Sequence, residues 1–154
     1  MAFFKETLIG RIGMEEKDGC ITHLWFENDI VPQNLEQGET PLIKEAFEQL
    51  ELYLNGQLKE FSVPLQPEGT PFMQSVWQRL LEVPYGQTAS YRDIATAVGN
   101  PRAVRAVGMA NRRNPIPILI PCHRIIGSQG DLVGYSSGLD LKRKLLDLET
   151  KGNK

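Results

Sequence analysis

The chain has 154 residues, enough for one compact domain or two small ones, and 41% of them are hydrophobic and 23% charged. No apolar run approaches the roughly 20 residues of a membrane span, and Met1–Glu6 lacks the pattern of a signal peptide. The net charge of −2 is unevenly divided: residues 1–66 carry 5 basic and 12 acidic side chains, and residues 67–154 carry 12 and 7. With only two cysteines, Cys20 and Cys122, we expect no disulfide framework and a reducing cytoplasm.

Residues 1–66 are predicted to form a small α/β domain, a sheet covered by one helix. Strand-like runs occupy Phe3–Ile12 and Cys20–Glu27. A helix follows, with Thr40 as its cap, Pro41 at its first position and Gly56 after its end. Its apolar stripe consists of Ile43, Phe47, Leu50 and Leu54. No group of residues in this half indicates catalysis.

Residues 67–154 are predicted to form a second, mostly helical domain, after a proline-rich linker at residues 62–71. Thr70-Pro71 opens its first helix, which Pro84 ends at Val83. The helix has a wide apolar surface, which favours a central helix that is buried on most sides. That surface comprises Phe72, Met73, Val76, Trp77, Leu80 and Leu81.

The next segment has the pattern of a helix-turn-helix. Ser90–Asp93 resembles a capping box, and the helix that it starts ends at Gly99. Asn100-Pro101 then predicts that another helix begins at once. In this second helix Val104, Val107 and Asn111 share a packing face. A second face, which we call the arginine face, carries Arg102, Arg105, Met109 and Arg112.

The same region is strongly basic. From Ile94 to Gly130 there is no acidic residue, whereas five arginines occur: Arg102, Arg105, Arg112, Arg113 and Arg124. This charge pattern is typical of a polyanion-binding surface. Charge alone fits a solvated arginine face equally well.

Cys122 is the candidate nucleophile. The proline-rich run at residues 115–121 excludes a helix or central strand and leads into Cys122-His123-Arg124, a turn at Gly127–Gly130 and a last helix at Leu139–Leu148. A cysteine attacks as the thiolate and needs a base or positive surroundings. In a strand, His123 would point away from Cys122, so it could help only if Pro121 bends the backbone or a water relays the proton. A buried inert cysteine is the alternative.

Several motifs in this half resemble the O6-alkylguanine-DNA alkyltransferases. In order and spacing they are Ser90-Tyr91, Gly99-Asn-Pro101, Arg105-Ala-Val-Gly108, Asn114-Pro-Ile-Pro-Ile-Leu-Ile-Pro-Cys-His-Arg124, Gly134-Tyr-Ser136 and Leu145-Leu-Asp-Leu-Glu149. They span about Gly69 to Glu149, more than half of the chain. The resemblance implies a ribonuclease-H-like first domain and a winged-helix-like second domain. It also implies direct-reversal DNA repair, in which an alkyl group moves once and irreversibly from guanine to Cys122.

The resemblance assigns the catalytic residues. Cys122 is the alkyl acceptor, His123 is the base that acts through a water, and Glu149 orients that histidine, which is nucleophile–base–orienter logic. Asn114 braces the site. Taken without the resemblance, Glu149 is an ordinary surface residue near a helix end, and Asn114 is a turn former before proline.

The resemblance also assigns residues that bind DNA and the base. Tyr91 contacts the purine and the DNA backbone, and Arg105 enters the duplex where a base has been extruded, on the minor-groove side. The base pocket is walled by Pro117, Tyr135 and Ser136. Lys142 fits the pocket edge, although a plain surface lysine is the alternative. Arg102 and Arg112 add contacts from the arginine face, and Met109 stands where the family often has a smaller residue.

The expected partner is double-stranded DNA that contains O6-alkylguanine, bound by a monomer without any cofactor. O4-alkylthymine stays open as a further lesion. We expect no metal, because Cys20 and His23 would supply only two ligands.

There are three alternatives. A non-catalytic lesion-binding protein of the same fold would lack the cysteine, and a plain helix-turn-helix regulator would not explain Cys122-His123, Glu149 and the pocket residues. A cysteine hydrolase is disfavoured because no glycine-rich oxyanion loop precedes Cys122.

Overall fold

The computed structural model describes residues 1–131, 135 and 138–152. The chain begins with a three-stranded antiparallel sheet, in the order β1 (Ala2–Thr7), β2 (Gly10–Lys17) and β3 (Cys20–Trp25). The single run predicted over Phe3–Ile12 is wrong in its extent, because a turn divides it between β1 and β2. In that turn Thr7 Oγ1 accepts a hydrogen bond from Ile9 N and donates to Gly10 O, and Gly10 has a φ of 98°. A glycine adopts this φ without steric cost.

Helix α1 (Pro41–Leu54) packs across the sheet, as the sequence predicts. Thr40 Oγ1 accepts from Ile43 N at 3.1 Å, and Gly56 follows the helix with a φ of 76°. The buried face of α1 differs in one position from the predicted apolar stripe. Leu54 is only half-buried, whereas Tyr53 is fully buried.

Helix α2 (Pro71–Leu81) begins at the predicted Thr70 cap and contacts the two helices that follow it. The expectation that it is buried on most sides is wrong. Its buried residues are Val76, Trp77 and Leu80, while Leu81 is 43% exposed. The Trp77 indole donates to Ala110 O at 2.8 Å, which fixes α2 against the second helix of the helix-turn-helix.

The helix-turn-helix consists of α3 (Tyr91–Ala97) and α4 (Val104–Arg112). The capping box of Ser90 and Asp93 is confirmed, and Gly99 has a φ of 87°. The predicted start of α4 is wrong by three residues. Asn100 caps a turn instead, since its Oδ1 accepts from Arg102 N at 3.3 Å and its carbonyl accepts from Ala103 N at 3.0 Å.

A 3₁₀ turn, Cys122–Arg124, leads into the short strand β5 (Ile125–Ile126), which pairs in parallel with β4 (Ala89–Ser90). The turn at Gly127–Gly130 is confirmed by a 2.9 Å hydrogen bond between the two glycines. Helix α5 (Leu139–Gly152) runs four residues beyond the predicted Leu148. Its buried residues are Lys142, Leu145 and Glu149.

The buried side chains of both halves form one continuous hydrophobic cluster. A sheet covered by a helix is thus followed by a helical part with a helix-turn-helix, which confirms the predicted fold class. Within the described residues, no helix is long and apolar enough to cross a membrane.

Candidate active site

Cys122 is held in a buried 3₁₀ turn directly after Pro121. The thiol-bearing residue is 4% exposed, and its backbone N–H donates to Ile120 O at 2.8 Å. Burial raises the pKa of Cys122 to about 11, although a hydrogen bond with Asn114 and the charge of Lys142 act in the opposite direction. At neutral pH the residue is therefore a thiol, and it needs a base before it can attack.

The 3₁₀ turn removes the geometric objection that a strand would raise. With three residues per turn, successive side chains are about 120° apart rather than on opposite faces. Pro121 produces this bend, with φ −79° and ψ 63°. Cys122 and His123 are therefore not forced to opposite faces.

His123 is fully buried, and its Nε2 lies 2.7 Å from Glu149 Oε2. Because the carboxylate accepts this bond, Nε2 carries the hydrogen and Nδ1 is left with its lone pair. Among the described residues, Nδ1 has no hydrogen-bond partner. Burial lowers the pKa of His123, and Glu149 offsets part of that effect. The imidazole is thus neutral at rest and can accept a proton at Nδ1.

Glu149 is 1% exposed and is bonded through both carboxylate oxygens. Arg124 donates to Oε1 from Nε at 2.8 Å and to Oε2 from Nη2 at 3.0 Å. Gly86 N donates to Oε1 at 3.2 Å, and the Tyr53 hydroxyl donates to Oε2 at 2.5 Å. Burial opposes ionisation, but the bonds from His123, Arg124 and Tyr53 lower the pKa of Glu149 to about 2. We call Tyr53, Gly86, His123, Arg124 and Glu149 the Glu149 cluster.

Asn114 braces the segment that delivers Cys122. Its Nδ2 donates to Ile120 O at 2.8 Å, and its Oδ1 accepts from Ile116 N at 2.9 Å. Asn111 of α4 adds a weaker contact at 3.4 Å, from Nδ2 to Cys122 O. Within this segment Ile118 has a φ of 73°, an unusual conformation for a β-branched residue. The asparagine bonds therefore hold a strained loop in place next to the nucleophile.

Lys142 is fully buried, so the alternative of a plain surface lysine is wrong. The residue lies in the first turns of α5, which face the Cys122 segment, and its Nζ donates to Ile125 O at 2.5 Å. Burial lowers the pKa of Lys142, while the neighbouring Cys122 raises it. A cation at this place stabilises a thiolate at Cys122.

Of the proposed pocket residues that the structure describes, Tyr135 lies next to Cys122, and Pro117 lies in the segment that precedes it. Pro117 is buried, and Tyr135 is 9% exposed with its ring 6.2 Å from that of Phe26. Burial and the adjacent Cys122 raise the pKa of Tyr135. Ser136 lies outside the described residues. Tyr91 is half-buried at the start of α3, where burial raises its pKa.

The arginine face is exposed and separate from the Glu149 cluster. Arg105 and Arg112 are exposed on α4, and Met109 between them is 54% exposed. Arg102 is also exposed, but it lies in the turn before α4. Arg124, which the charge pattern grouped with these arginines, is only 7% exposed and bonds to Glu149. Its assignment to a basic surface is wrong.

Sequence reasoning missed the roles of Tyr53 and Arg124. Arg124 stands between the apolar runs at residues 116–120 and 125–126, where a charged residue needs a buried partner. Tyr53 follows Leu50 by three residues and so falls on the buried face of α1. A hydroxyl on an apolar face signals a hydrogen bond, but it does not name the partner.

The described residues contain no group of three or more His, Cys, Asp or Glu side chains that could hold a metal. His23 instead has its Nδ1 at 2.9 Å from Glu15 Oε1 and stacks on Trp25.

Two family models together match most of the chain. One describes the ribonuclease-like domain of 6-O-methylguanine DNA methyltransferase and matches residues 4–67. The other describes the DNA-binding domain of the same family and matches residues 71–151.

Individual relatives agree with these matches. The constitutive methylated-DNA–protein-cysteine methyltransferase of Bacillus subtilis is 48% identical over 151 residues, covering 94% of this chain and 92% of the relative. The methylated-DNA–protein-cysteine methyltransferase of Methanosarcina acetivorans is 56% identical over 119 residues, which cover 77% of this chain and 76% of the relative. The crystal structure of Mycobacterium tuberculosis OGT in complex with DNA has a TM-score of 0.91 at 40% identity, and the match covers 98% of this chain and 93% of that one. The chain therefore belongs to the 6-O-methylguanine DNA methyltransferase family.

Proposed function

We propose that this protein repairs DNA by moving an alkyl group from O6 of guanine to Sγ of Cys122, once per protein molecule. The observation that carries the proposal is the buried arrangement of Cys122, His123 and Glu149 in a chain of this family. The sulfur is the nucleophile, His123 is the base and Glu149 holds the base in its working tautomer.

The transfer balances without a cofactor. The Cys122 proton passes through a water to Nδ1 of His123, and the thiolate attacks the alkyl carbon. A carbon–sulfur bond forms as the carbon–oxygen bond breaks, and the electron pair of the broken bond goes to the guanine oxygen. The proton is delivered to the departing guanine, and His123 returns to its neutral form.

The damaged base has to leave the duplex to reach Cys122, because the thiol is buried and a stacked base cannot align with it. We assign Pro117, Tyr135 and Ser136 to the wall of the base pocket, with Lys142 at its edge beside the sulfur. Tyr91 contacts the purine and the adjacent backbone. These side chains belong to the part of the chain that follows residue 66, which we treat as the DNA-binding and alkyl-transfer domain.

The arginine face supplies the DNA contacts. Arg105 fills the space that the extruded base leaves, and Arg102 and Arg112 bind phosphates. An arginine wedge beside a flipped base suits binding from the minor groove. We further propose that the protein acts as a monomer in the cytoplasm and needs no metal.

Mass spectrometry tests the proposal directly. After incubation with a duplex that contains O6-methylguanine, the peptide of Cys122 should gain one methyl group. An unmodified protein that still binds the duplex would instead identify a lesion-binding protein.

Titration tests the single use of Cys122. A thioether is a poor leaving group for water, and no second cysteine lies near Cys122 in the sequence to take over the alkyl group. Limiting protein with excess alkylated duplex should transfer one alkyl group per active molecule and then stop. A plateau well above one would mean that Cys122 is regenerated.

A further inference from the structure

The hydroxyl of Tyr53 reaches the catalytic pair from the opposite half of the chain. Tyr53 lies in the last turn of α1, is fully buried and donates to Glu149 Oε2 across a separation of 96 residues. Its oxygen is also 3.4 Å from His123 Nε2. Burial and the adjacent Glu149 raise the pKa of Tyr53 far above its usual value, so the hydroxyl remains a donor at every working pH.

Three donors converge on the one oxygen that also holds His123. Glu149 Oε2 accepts from the Tyr53 hydroxyl at 2.5 Å, from His123 Nε2 at 2.7 Å and from Arg124 Nη2 at 3.0 Å. A carboxylate oxygen has about two lone-pair sites, so these donors share its charge. Each donor that stabilises the carboxylate leaves less negative charge to attract a proton onto His123.

The remaining charged groups around His123 make that balance sensitive. Arg124 in the same turn and Lys142 of α5 both oppose a positive charge on the imidazole, and Glu149 of α5 favours it. Cys122 is the proton source, and Tyr53 is the contribution of α1. The negative charge of Glu149 thus offsets the effect of two cations on His123. The hydrogen bond from Tyr53 weakens the attraction of that negative charge for a proton on His123.

We propose that Tyr53 is a positioning residue for alkyl transfer, which fixes Glu149 Oε2 and keeps His123 neutral so that Nδ1 can accept the Cys122 proton. This role rests on the function proposed above. The first half of the chain, which holds none of the reacting atoms, thereby sets the pH range in which the thiol is activated.

Histidine NMR tests this role without any DNA. The full chain contains only two histidines, so the ring signals of His23 and His123 can be assigned and followed during a pH titration. Tyr53→Phe removes the hydroxyl and keeps the ring. In this variant His123 should take up its proton at higher pH than in the wild type, while His23 is unchanged. If His123 behaves identically in the two proteins, the positioning role is refuted, whatever the outcome for the proposed function.

Transfer kinetics give a second readout. The rate of single-turnover methyl transfer from the O6-methylguanine duplex should fall as the pH is lowered and His123 takes up a proton. In Tyr53→Phe the midpoint of this fall should lie at a higher pH than in the wild type. Below the wild-type midpoint we expect the variant to be roughly threefold slower or more, with a smaller difference on the alkaline side. An equal reduction at every pH would indicate a purely structural tyrosine and would overturn the proposal. A wild-type protein that transfers no methyl would refute the proposed function instead.

Thr22→Val is the matched control. Thr22 is buried in the same half and donates its hydroxyl to the Glu15 carboxylate at 2.9 Å, whereas Tyr53 donates to Glu149. The Thr22→Val variant should lose stability as Tyr53→Phe does, but the pH dependence of its transfer rate should match that of the wild type. If it shifts the profile equally, general loosening of this half explains the effect and the proposal fails.

A second substitution guards against misfolding of Tyr53→Phe. Genetically inserted 3,5-difluorotyrosine at position 53 keeps the ring and donates a stronger hydrogen bond. With this residue, the pH at which His123 takes up its proton and the pH at which the transfer rate falls should both be lower than in the wild type. In Tyr53→Phe both should be higher. A shift in the same direction as phenylalanine, or no shift, would contradict the role.

Discussion

In the DNA-free protein, the side chains of the Glu149 cluster are buried and hydrogen-bonded to one another, whereas the arginine face of α4 is exposed to solvent. In the cluster, donors occupy both oxygens of Glu149, and the carboxylate is 1% exposed. On α4, Arg105 and Arg112 extend into solvent, and Met109 between them is 54% exposed. The groups that we propose for the chemistry are therefore already bonded to one another, whereas the arginines that we propose to contact DNA are exposed to solvent.

This difference explains why a reactive cysteine can be kept unused. Burial raises the pKa of Cys122 to about 11, so the DNA-free protein holds a thiol that solutes reach with difficulty. In the mechanism that we propose, His123 is neutral, is held by Glu149 and accepts the proton when the substrate fills the pocket. On that mechanism, a residue that reacts once stays protected until its substrate arrives.

The largest effect should come from Cys122→Ala, which separates the two regions completely. We expect no alkyl transfer, because the acceptor atom is missing, and nearly unchanged affinity for the alkylated duplex, because phosphate contacts supply most of it. Methyl counting by mass spectrometry and gel-shift titration at one fixed salt concentration measure the two quantities. A large loss of DNA affinity would show that Cys122 is a structural residue.

Glu149→Gln should damage the buried region in both activity and stability. The substitution leaves Arg124 as a buried cation without its carboxylate, which costs about 3–5 kcal/mol of unfolding free energy. Alkyl transfer should also fall, since His123 loses the group that fixes its tautomer. Urea unfolding and single-turnover transfer check the two effects. Glu15→Gln is the control, because Glu15 is a buried carboxylate of β2 that bonds to Thr22 and His23 rather than to the Glu149 cluster.

The stability loss in Glu149→Gln should depend on pH. The pKa of Glu149 is lowered to about 2 in the folded protein, against about 4.3 for an unfolded glutamate. Its charge therefore stabilises the fold fully above that unfolded value, and the contribution is lost as the pH falls through about 2. The difference in unfolding free energy between the wild type and the variant should become smaller as the pH is lowered below 5. A gap that stays constant would mean that packing, not charge, explains the loss.

Local patterns predicted the parts of the fold that depend on neighbouring residues. The caps at Thr40, Thr70 and Ser90 are confirmed, because each is a bond between residues three apart. The start of α4 was wrong because an asparagine side chain can cap a helix or close a turn with the same atoms. Asn100 closes a turn.

The site depended on contacts that no local pattern contains. Without the family resemblance, Glu149 would have been assigned to the surface, since carboxylates are seldom buried. It is buried because α5 continues past it and packs against the Cys122 turn. The bond from Tyr53 joins residues 96 apart, and only the tertiary fold brings them together.

Arg105→Ala should affect the exposed region and leave the buried chemistry intact. Transfer from duplex DNA should fall roughly tenfold or more, because loss of a wedge leaves the vacated stack unsupported, at a cost of a few kcal/mol. Transfer from the free alkylated base should be unchanged, since no stack has to be filled. Arg113→Ala removes the same charge next to the face and should have a smaller effect on the duplex. Equal losses on duplex and free base would refute the wedge role of Arg105.

The smallest effect should come from Met109→Gly, which tests where the arginine face ends and the core begins. Glycine inside a helix costs about 1 kcal/mol, and a methionine that is 54% exposed contributes little packing. We therefore expect the unfolding free energy to fall by about 1 kcal/mol or less. Val107→Gly, on the buried face two residues earlier, should cost several times more, because it also removes a fully buried side chain. Thermal and urea unfolding of the two variants give the comparison. If Met109→Gly is as damaging as Val107→Gly, Met109 packs into the core, and the arginine face does not continue from Arg105 to Arg112.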